Sequence, residues 1–365
     1  MPPQKATASS ITAADDSSDP VKASASHGSN TGGGGPSAAH APHTATIAKR
    51  ITPRTLSMLA APPSRRNRRN SDRMKALFAV TLVVACGSST RRPPAATPAT
   101  PAPPAFTPTA FTDAVTGHGR PVIFIPGLAS PGSVWDGTIA HLGGRVEAHV
   151  LTLAGFAGRP PIAAPLMHAV HDQLVEYIRA EHLDHPIVVG HSLGGVLSIW
   201  LAETDPDIGG IVDVDGLPFL PAAYDPKATA ETAGAQGKQI GDSIAGGSDY
   251  AANVTKFLST MITKPDDLAR VAAEAAKSDP VAVGHAFGEL FALDLRPDLA
   301  KIAIPVTIVA SSESAVPADQ LAAAWHAQID AIPHVDFTMV PAAKHFVMLD
   351  QPDAFYALLD KALAK

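Results

Sequence analysis

The feature of this sequence that most restricts its fold is an alternation of two patterns from residue 111 to the end of the chain. Short runs rich in β-branched residues alternate with longer stretches whose apolar residues recur at three-to-four spacing. Such alternation is typical of a mostly parallel sheet whose strands are connected by helices. The apolar runs predict strands at residues 122–126, 149–153, 187–190, 211–214, 306–310 and 335–340. We therefore predict an α/β domain over residues 111–365, with flanking helices on its sheet.

One long stretch, residues 218–297, interrupts this alternation and is helical in pattern. Its clearest apolar stripe consists of Val254, Phe257, Leu258, Met261 and Ile262. Ligand sites in open α/β sheets lie outside the carboxyl ends of the strands. The stretch is therefore predicted to form a helical cap over that edge, with most of the stripe packed in the core.

The segment at residues 190–194 reads Gly-His-Ser-Leu-Gly and lies between an apolar strand and an apolar helix. The pattern Gly-x-Ser-x-Gly can occur by chance, so alone it is weak evidence of a catalytic serine. An apolar strand before the pattern and a helix after it strengthen that evidence greatly. A sharp turn at this junction holds the serine in a strained backbone and exposes its hydroxyl at a helix N-terminus. Ser192 is accordingly the predicted nucleophile.

A serine hydroxyl needs a base, because its own pKa is far above neutrality. Among 15 histidines, His345 comes late in the chain, on the loop after the last predicted strand. His334 precedes that strand, and His191 is part of the turn itself, so neither competes well. His345 is the predicted base.

The acid that orients the base is less determined by the sequence. Asp215 follows the strand at 211–214, whereas Glu313 follows the strand at 306–310. A short carboxylate at the very end of a strand is the more rigid choice, so Asp215 is preferred and Glu313 stays the alternative. Asp213 is expected to point to the other face of the sheet.

Two backbone N–H groups are needed to stabilise a developing oxyanion. The first is predicted to be that of Leu193, directly after the nucleophile, and the second that of Leu128, on the loop after the strand at 122–126. Gly127 lets this loop approach the reacting carbonyl without a side-chain clash.

Together these stretches resemble the α/β-hydrolase superfamily, in particular its capped carboxylesterase-like branch, over about residues 115–363. Pro126-Gly127-Leu128 resembles the oxyanion loop, residues 190–195 the nucleophile turn, and His345 with Pro352 the terminal histidine loop. Pro126 stands where a histidine is frequent. Ser314 stands, beside Glu313, where many members carry the catalytic aspartate, which is a further reason to prefer Asp215. The resemblance implies an α/β-hydrolase fold, with a serine nucleophile that argues against dehalogenase or epoxide hydrolase chemistry.

The expected activity is that of a serine hydrolase acting on small to medium carboxylic esters through an acyl-enzyme on Ser192, without a metal or cofactor. Lipase, amidase, carbon–carbon bond hydrolase and cofactor-free haloperoxidase-like activities stay open, because the nucleophile turn does not separate them. From another class, a membrane-tethered binding protein on an idle hydrolase fold is the alternative. Neither the substrate nor the oligomeric state follows from the sequence.

The first 110 residues differ from the rest in charge. They hold 13 Lys/Arg and 4 Asp/Glu, whereas residues 111–365 hold 15 and 30. An acidic domain is a poor partner for nucleic acid, which binds a surplus of Lys and Arg. One cysteine in the whole chain excludes an internal disulfide and a cysteine zinc site.

Residues 1–73 are rich in Ala, Ser, Thr, Gly and Pro, and are predicted to be disordered and to lie before the native start at Met74. Residues 74–86 combine a positive start, ten uncharged residues and Val-Val-Ala-Cys, which fits a signal peptide and resembles a bacterial lipobox. Lipidation of Cys86 and a proline-rich linker at 87–110 are therefore expected, with the enzyme exported and anchored to a membrane of the cell envelope.

Overall fold

The computed structural model describes residues 106–314 and 316–365. Residues 1–73, the predicted signal peptide with Cys86, and most of the predicted linker at 87–110 lie outside the described residues. Within the described residues, no helix combines the length and the apolar character needed to cross a membrane.

Among residues 106–314 and 316–365, one sheet of seven strands lies at the centre of the fold. Its order is β1-β3-β2-β4-β5-β6-β7, in which β1 is antiparallel to β3 and every other pair is parallel. The strands are β1 (Phe111–Gly117), β2 (Arg120–Ile125), β3 (Val146–Leu153), β4 (Ile187–His191), β5 (Gly210–Val214), β6 (Val306–Ser311) and β7 (Val335–Val340). The predicted α/β fold with a mostly parallel sheet is confirmed.

Strand β1 is the one strand of this sheet that the apolar runs did not predict. After Phe111 its side chains are half-buried or exposed, so it carries no apolar run, and it pairs only with β3 at the edge of the sheet. The central strands β4, β5 and β6 are buried along their whole length. Parallel strands covered on both faces have continuous apolar sequences, which is why those strands were predictable.

In the part of the chain that the structure describes, ten α-helices accompany the sheet. Helix α3, which directly follows β4, is buried over most of its length, whereas α2 and α10 bury one apolar face each. The helices are α1 (Asp136–Leu142), α2 (Leu166–Ala180), α3 (Leu193–Thr204), α4 (Ala230–Gly246), α5 (Tyr250–Ser259), α6 (Pro265–Ala275), α7 (Pro280–Ala292), α8 (Ala318–Ile329), α9 (Val347–Asp350) and α10 (Pro352–Leu363).

Helices α4 to α7 are inserted between β5 and β6, and we call residues 218–297 the helical insertion. In its apolar stripe Leu258 and Ile262 are buried, whereas Phe257 is 49% exposed. Helices α4 and α7 touch through their backbones, because a Cβ at Gly241 would collide with the carbonyl of Gly284. Glycine is thus required on both helices at this crossing.

Candidate active site

The turn between β4 and α3 places Ser192 at the carboxyl edge of the sheet. Its backbone has φ +55° and ψ −118°, a strained conformation for a residue with a side chain. The Ser192 N–H donates to the carbonyl of Val214 at the end of β5, 2.8 Å away. A Cβ at Gly190 would collide with the backbone of Gly194, so the strand and the helix cross at the two glycines of the motif.

His345 and Asp215 are brought together by this edge of the sheet. His345 lies on the loop between β7 and α9, and its Nδ1 is 2.7 Å from Oδ2 of Asp215. Asp215 follows β5 directly and has φ +59°, a left-handed conformation that aspartate tolerates better than most side chains. The side chain of Asp215 is only 10% exposed and that of His345 22%. The contact is therefore a largely buried, well-formed hydrogen bond.

Ser311, the last residue of β6, holds the Asp215 carboxylate from the other side. Its backbone N–H donates to Oδ1 at 2.8 Å, and its hydroxyl donates to Oδ2 at 2.9 Å. With His345, three donors therefore converge on Asp215. Ser311 was not predicted from the sequence, since a serine at the end of a strand carries no signal of a contact 96 residues away.

The alternative acid, Glu313, is exposed and makes no side-chain hydrogen bond to the described residues. Its backbone N–H, like that of Ser312, donates to the carbonyl of Ala343 on the histidine loop. The backbone of the loop after β6 is thus bonded to the histidine loop, whereas the carboxylate of Glu313 is exposed and makes no hydrogen bond to His345.

Asp213 is a residue of β5 and is fully buried, with its carboxylate against the start of α3, where a Cβ at Gly195 would collide with it. Its Oδ1 accepts the N–H of Gly216 at 2.8 Å, which helps to fix the turn that carries Asp215. Burial, with the nearby Asp215 charge as a smaller cause, raises the pKa of Asp213 well above its ordinary value. Asp213 therefore acts as a buried hydrogen-bonding group of this turn.

The loop after β2 approaches the serine turn very closely. A Cβ at Gly127 would lie 2.8 Å from His191 Nδ1 and 3.1 Å from Ser192 Cβ. The Ser130 N–H donates to the carbonyl of Gly127, and Ala129 at the third position of this turn has φ +57°. In the described part of the chain, the N–H groups of Leu128 and Leu193 have no hydrogen-bond acceptor. Both are available to an oxyanion next to Ser192.

His191 connects the serine turn with the histidine loop. Burial and the neighbouring His345 ring lower the pKa of His191 well below its ordinary value, so it is neutral near pH 7. Its Nε2 lies 3.1 Å from the carbonyl oxygen of His345, which makes Nε2 the protonated nitrogen. The His191 ring lies 4.7 Å from the His345 ring and 4.4 Å from that of Phe346. The residue next to Ser192 thereby supports the loop that carries His345.

The Ser192 hydroxyl makes no hydrogen bond to a described residue. Because Nδ1 of His345 is engaged by Asp215, the second ring nitrogen, Nε2, is the one left for the serine. Within residues 106–314 and 316–365, no group of three or more His, Cys, Asp or Glu side chains is arranged to hold a metal ion.

Comparison with known proteins places this arrangement in context. A family model described as "Alpha/beta hydrolase family" matches residues 122–358, which include most of β2, all of β3 to β7, and Ser192, Asp215 and His345. A pimeloyl-[acyl-carrier protein] methyl ester esterase of Nitrosomonas europaea is 27% identical over 255 residues, covering 67% of this chain and 96% of the esterase. The corresponding esterase of Neisseria meningitidis is 27% identical over 248 residues, covering 66% and 91%.

Solved structures share the fold at lower identity. A thermophilic esterase from Thermogutta terrifontis superposes with a TM-score of 0.60 at 18% identity, covering 70% of this chain and 93% of the esterase. A bromoperoxidase from Bacillus anthracis gives a TM-score of 0.60 at 19% identity, covering 70% and 95%. The same scaffold thus carries an enzyme named for ester cleavage and one named for halide oxidation.

Proposed function

Because this chain belongs to the alpha/beta hydrolase family, we propose that it is a serine carboxylesterase whose catalytic triad is Ser192, His345 and Asp215. The hydrogen bond of 2.7 Å between His345 Nδ1 and Asp215 Oδ2, beside a serine in a strained strand-to-helix turn, carries this proposal. The similarity to methyl ester esterases along nearly their whole length supports ester cleavage as the reaction.

The first half of the reaction is acyl transfer to the enzyme. The Ser192 oxygen attacks the ester carbonyl carbon while its proton passes to Nε2 of His345, and Asp215 stabilises the resulting imidazolium. The carbonyl oxygen becomes an oxyanion that accepts the N–H groups of Leu128 and Leu193. When the carbon–oxygen bond of the alcohol breaks, His345 returns the proton to the leaving alkoxide, and the acyl group stays on Ser192.

The second half is hydrolysis of this acyl-enzyme. His345 removes a proton from water, the hydroxide attacks the acyl carbon, and the same two N–H groups hold the second oxyanion. The bond to Ser192 then breaks, the serine recovers its proton from His345, and the carboxylic acid leaves. Hydrogen bonds between nucleophile and base are commonly long without substrate, which agrees with the free hydroxyl of Ser192.

The substrates we propose are small to medium esters not attached to a protein. A carrier-bound methyl ester, the substrate in the relatives' names, is the second candidate, because the similarity covers 96% of the Nitrosomonas europaea esterase. Both arginines of the insertion are engaged: Arg270 with Ser133 and Asp267, and Arg296 with Asp294. The domain at residues 111–365 is itself acidic, with 15 Lys/Arg against 30 Asp/Glu, which disfavours docking of an acidic protein surface, so the uncoupled ester is favoured.

A fluorophosphonate probe tests the triad, because it reacts with an activated serine. We expect the full chain to be labelled and Ser192→Ala to remain unlabelled. Ser243→Ala is the matched control, since that hydroxyl is exposed and bonds only within α4. An unlabelled wild-type chain, or labelling that survives Ser192→Ala, contradicts the proposal.

A panel of substrates tests the ester class. Nitrophenyl esters of increasing acyl length, a nitroanilide, methyl pimelate and carrier-bound methyl pimelate separate an esterase from a lipase, an amidase and a carrier-dependent enzyme. Turnover that falls beyond medium acyl chains and does not need the carrier supports our proposal. Turnover of the carrier-bound ester alone supports the second candidate, and labelling without turnover of any ester favours the carbon–carbon bond hydrolase or haloperoxidase-like alternatives.

We also propose that Cys86 anchors the exported enzyme to a membrane of the cell envelope through a lipid. The support is the sequence alone: a short apolar stretch that ends in Val-Val-Ala-Cys, followed by seven prolines between residues 93 and 108. In a bacterial host that processes lipoproteins, Cys86→Ala should move the protein from the membrane fraction to the soluble fraction. Unchanged fractionation would refute the anchor and leave the esterase proposal untouched.

A further inference from the structure

We propose that α6 is a brace that holds the oxyanion loop and the histidine loop in register, with Ser278 and Asp350 as its positioning residues. The inference rests on the proposed esterase function, because it assigns residues to the support of that site. Helix α6 lies in the middle of the insertion, and the segments at its two ends each bond to a different catalytic loop. Neither residue carries a sequence signal, and neither has been given a role in the reaction itself.

At the C-terminal end of α6, Ser278 joins the insertion to the oxyanion loop. Its hydroxyl donates to the carbonyl of Ala129 at 3.3 Å and accepts the N–H of Ala157 at 2.8 Å. Ser278 is only 5% exposed, so water does not replace these partners readily. Ala129 follows Leu128 in the left-handed turn that aims the Leu128 N–H, and a fixed Ala129 carbonyl therefore fixes that donor.

At the N-terminal end of α6, Thr263 joins the insertion to the histidine loop through Asp350. The Asp350 carboxylate accepts the Thr263 N–H and the Thr263 hydroxyl, both at 2.9 Å, and also the N–H of Lys344 at 3.0 Å. Lys344 directly precedes His345. The Phe346 N–H, on the other side of His345, donates to the carbonyl of Met261. The insertion therefore holds the histidine loop on both sides of the base.

Between these two attachments α6 is a stiff connection. Val271, Ala272 and Ala275 on one face of the helix are buried, and Arg270 Nη1 donates to the carbonyl of Ser133 at 2.9 Å. A helix of 11 residues has an approximately fixed length. Since each end bonds to one loop, a shift of α6 moves the Leu128 donor and the His345 base together. Misplacement of catalytic groups by about 1 Å can cost about 10²-fold in rate, so this register matters.

Two neutral changes, one at each end, test the brace in the full chain. Ser278→Ala and Thr263→Val each remove a hydroxyl that makes no hydrogen bond to Ser192, His345 or Asp215 in the described residues. We expect each to lower kcat for a nitrophenyl ester roughly three- to tenfold with unchanged KM, less than the roughly 10²–10³-fold cost of losing an oxyanion donor.

The double variant separates a brace from two independent supports. If α6 acts as one brace, either single change already releases it. The kcat of the double variant should then be little lower than that of the more impaired single variant, which means that the two effects on kcat are coupled. Two effects that multiply, or single variants with wild-type kcat, would overturn the brace. Thr263→Ser retains the hydroxyl and should therefore retain wild-type kcat. If Thr263→Ser lowers kcat as much as Thr263→Val does, the brace is also overturned.

The controls keep this inference apart from the esterase proposal. Thermal melting verifies that each variant is folded, and Ser278→Cys, which keeps the volume and weakens both hydrogen bonds, replaces Ser278→Ala if that variant does not fold. Ser243→Ala is the matched surface control and should behave as wild type. A wild-type chain that a fluorophosphonate does not label refutes the esterase, whereas a labelled wild type with unimpaired variants refutes only the brace.

Discussion

Replacement of Asp215 by asparagine is the sharpest test of the triad geometry, because the two side chains have the same shape. The carboxylate accepts three hydrogen bonds: one from the Ser311 N–H on Oδ1, and two from the Ser311 hydroxyl and His345 Nδ1 on Oδ2. Asparagine offers one acceptor oxygen and one NH₂ group. Its two orientations therefore have different consequences.

With its oxygen on the Ser311 N–H, the asparagine presents its NH₂ group to His345 and can satisfy every neighbour. The His345 ring must then carry its proton on Nε2, where it cannot accept the proton of Ser192. The opposite orientation keeps the correct tautomer but places the NH₂ group against the buried Ser311 N–H, at a cost of about 1–3 kcal/mol. The productive orientation is consequently the less populated one.

The imidazolium formed in the reaction also loses its charged partner, a hydrogen bond worth roughly 1.5–3 kcal/mol. Together the two effects predict a fall in kcat of about 10²–10⁴-fold, since each 1.36 kcal/mol is about tenfold. This range includes the roughly 10⁴-fold effect typical of a triad histidine held in the wrong tautomer.

The assay is kcat for a nitrophenyl ester, with thermal melting to verify that the variant is folded. Glu313→Gln is the matched control: it removes an exposed carboxylate from the neighbouring loop and should retain wild-type kcat. An Asp215→Asn variant that retains more than about a tenth of wild-type kcat would refute the reasoning. A severe loss in Glu313→Gln alone would show that the other carboxylate orients the base.

Two further predictions concern stability. Burial raises the pKa of Glu203 to about 8, with Asp298 as a smaller cause. The native state therefore binds the Glu203 proton more tightly than the unfolded chain does. As a result, the free energy of unfolding falls as the pH rises from about 4.5 to about 8. Glu203→Gln removes this dependence of stability on pH, so the Tm of the variant should rise relative to that of the wild type between pH 5 and 8. A difference in Tm that stays constant over this range would contradict the raised pKa of Glu203. Gly241→Leu should lower the free energy of unfolding by about 1–3 kcal/mol, because the new side chain collides with α7. Gly246→Ala on the same helix, with nothing within 4 Å of its new Cβ, should not destabilise, and equal effects in urea unfolding would refute the packing argument.

Local sequence patterns were sufficient for most of the sheet. The strands β4, β5 and β6 are buried along their whole length, so their mostly apolar runs are visible in the sequence. The strands β2, β3 and β7 are less completely buried, but each still carries enough apolar residues to be predicted. Strand β1 escaped because an edge strand with exposed side chains has no such run. It is specified by its pairing with β3, which runs from Phe111 opposite Leu153 to Gly117 opposite Glu147 and so joins residues 30 to 42 positions apart.

In the candidate site, too, some residues were predictable from the sequence and others were not. Ser192 was predictable because the pattern of its turn lies in one continuous segment, which consists of a strand, a serine between two glycines and a helix. His345 was predictable from chain order, as a histidine after the last strand. Ser311, Ser278 and Asp350 were not predictable, because serine and aspartate are common at strand and helix ends and their partners come from distant segments.

The sequence by itself therefore determined the fold class and identified Ser192 and His345 as the candidate nucleophile and base, from consecutive residues in the first case and from the order of the elements in the second. It left Asp215 and Glu313 open as the acid, since β5 and β6 are neighbours and both end at the same edge of the sheet. Only the tertiary structure separated the two carboxylates. A left-handed turn fixed by Asp213 and Ser311 directs Asp215 to His345, whereas the backbone of the next loop bonds to the histidine loop and leaves Glu313 exposed. The direction of a side chain at a strand end depends on such distant contacts, which no local pattern contains.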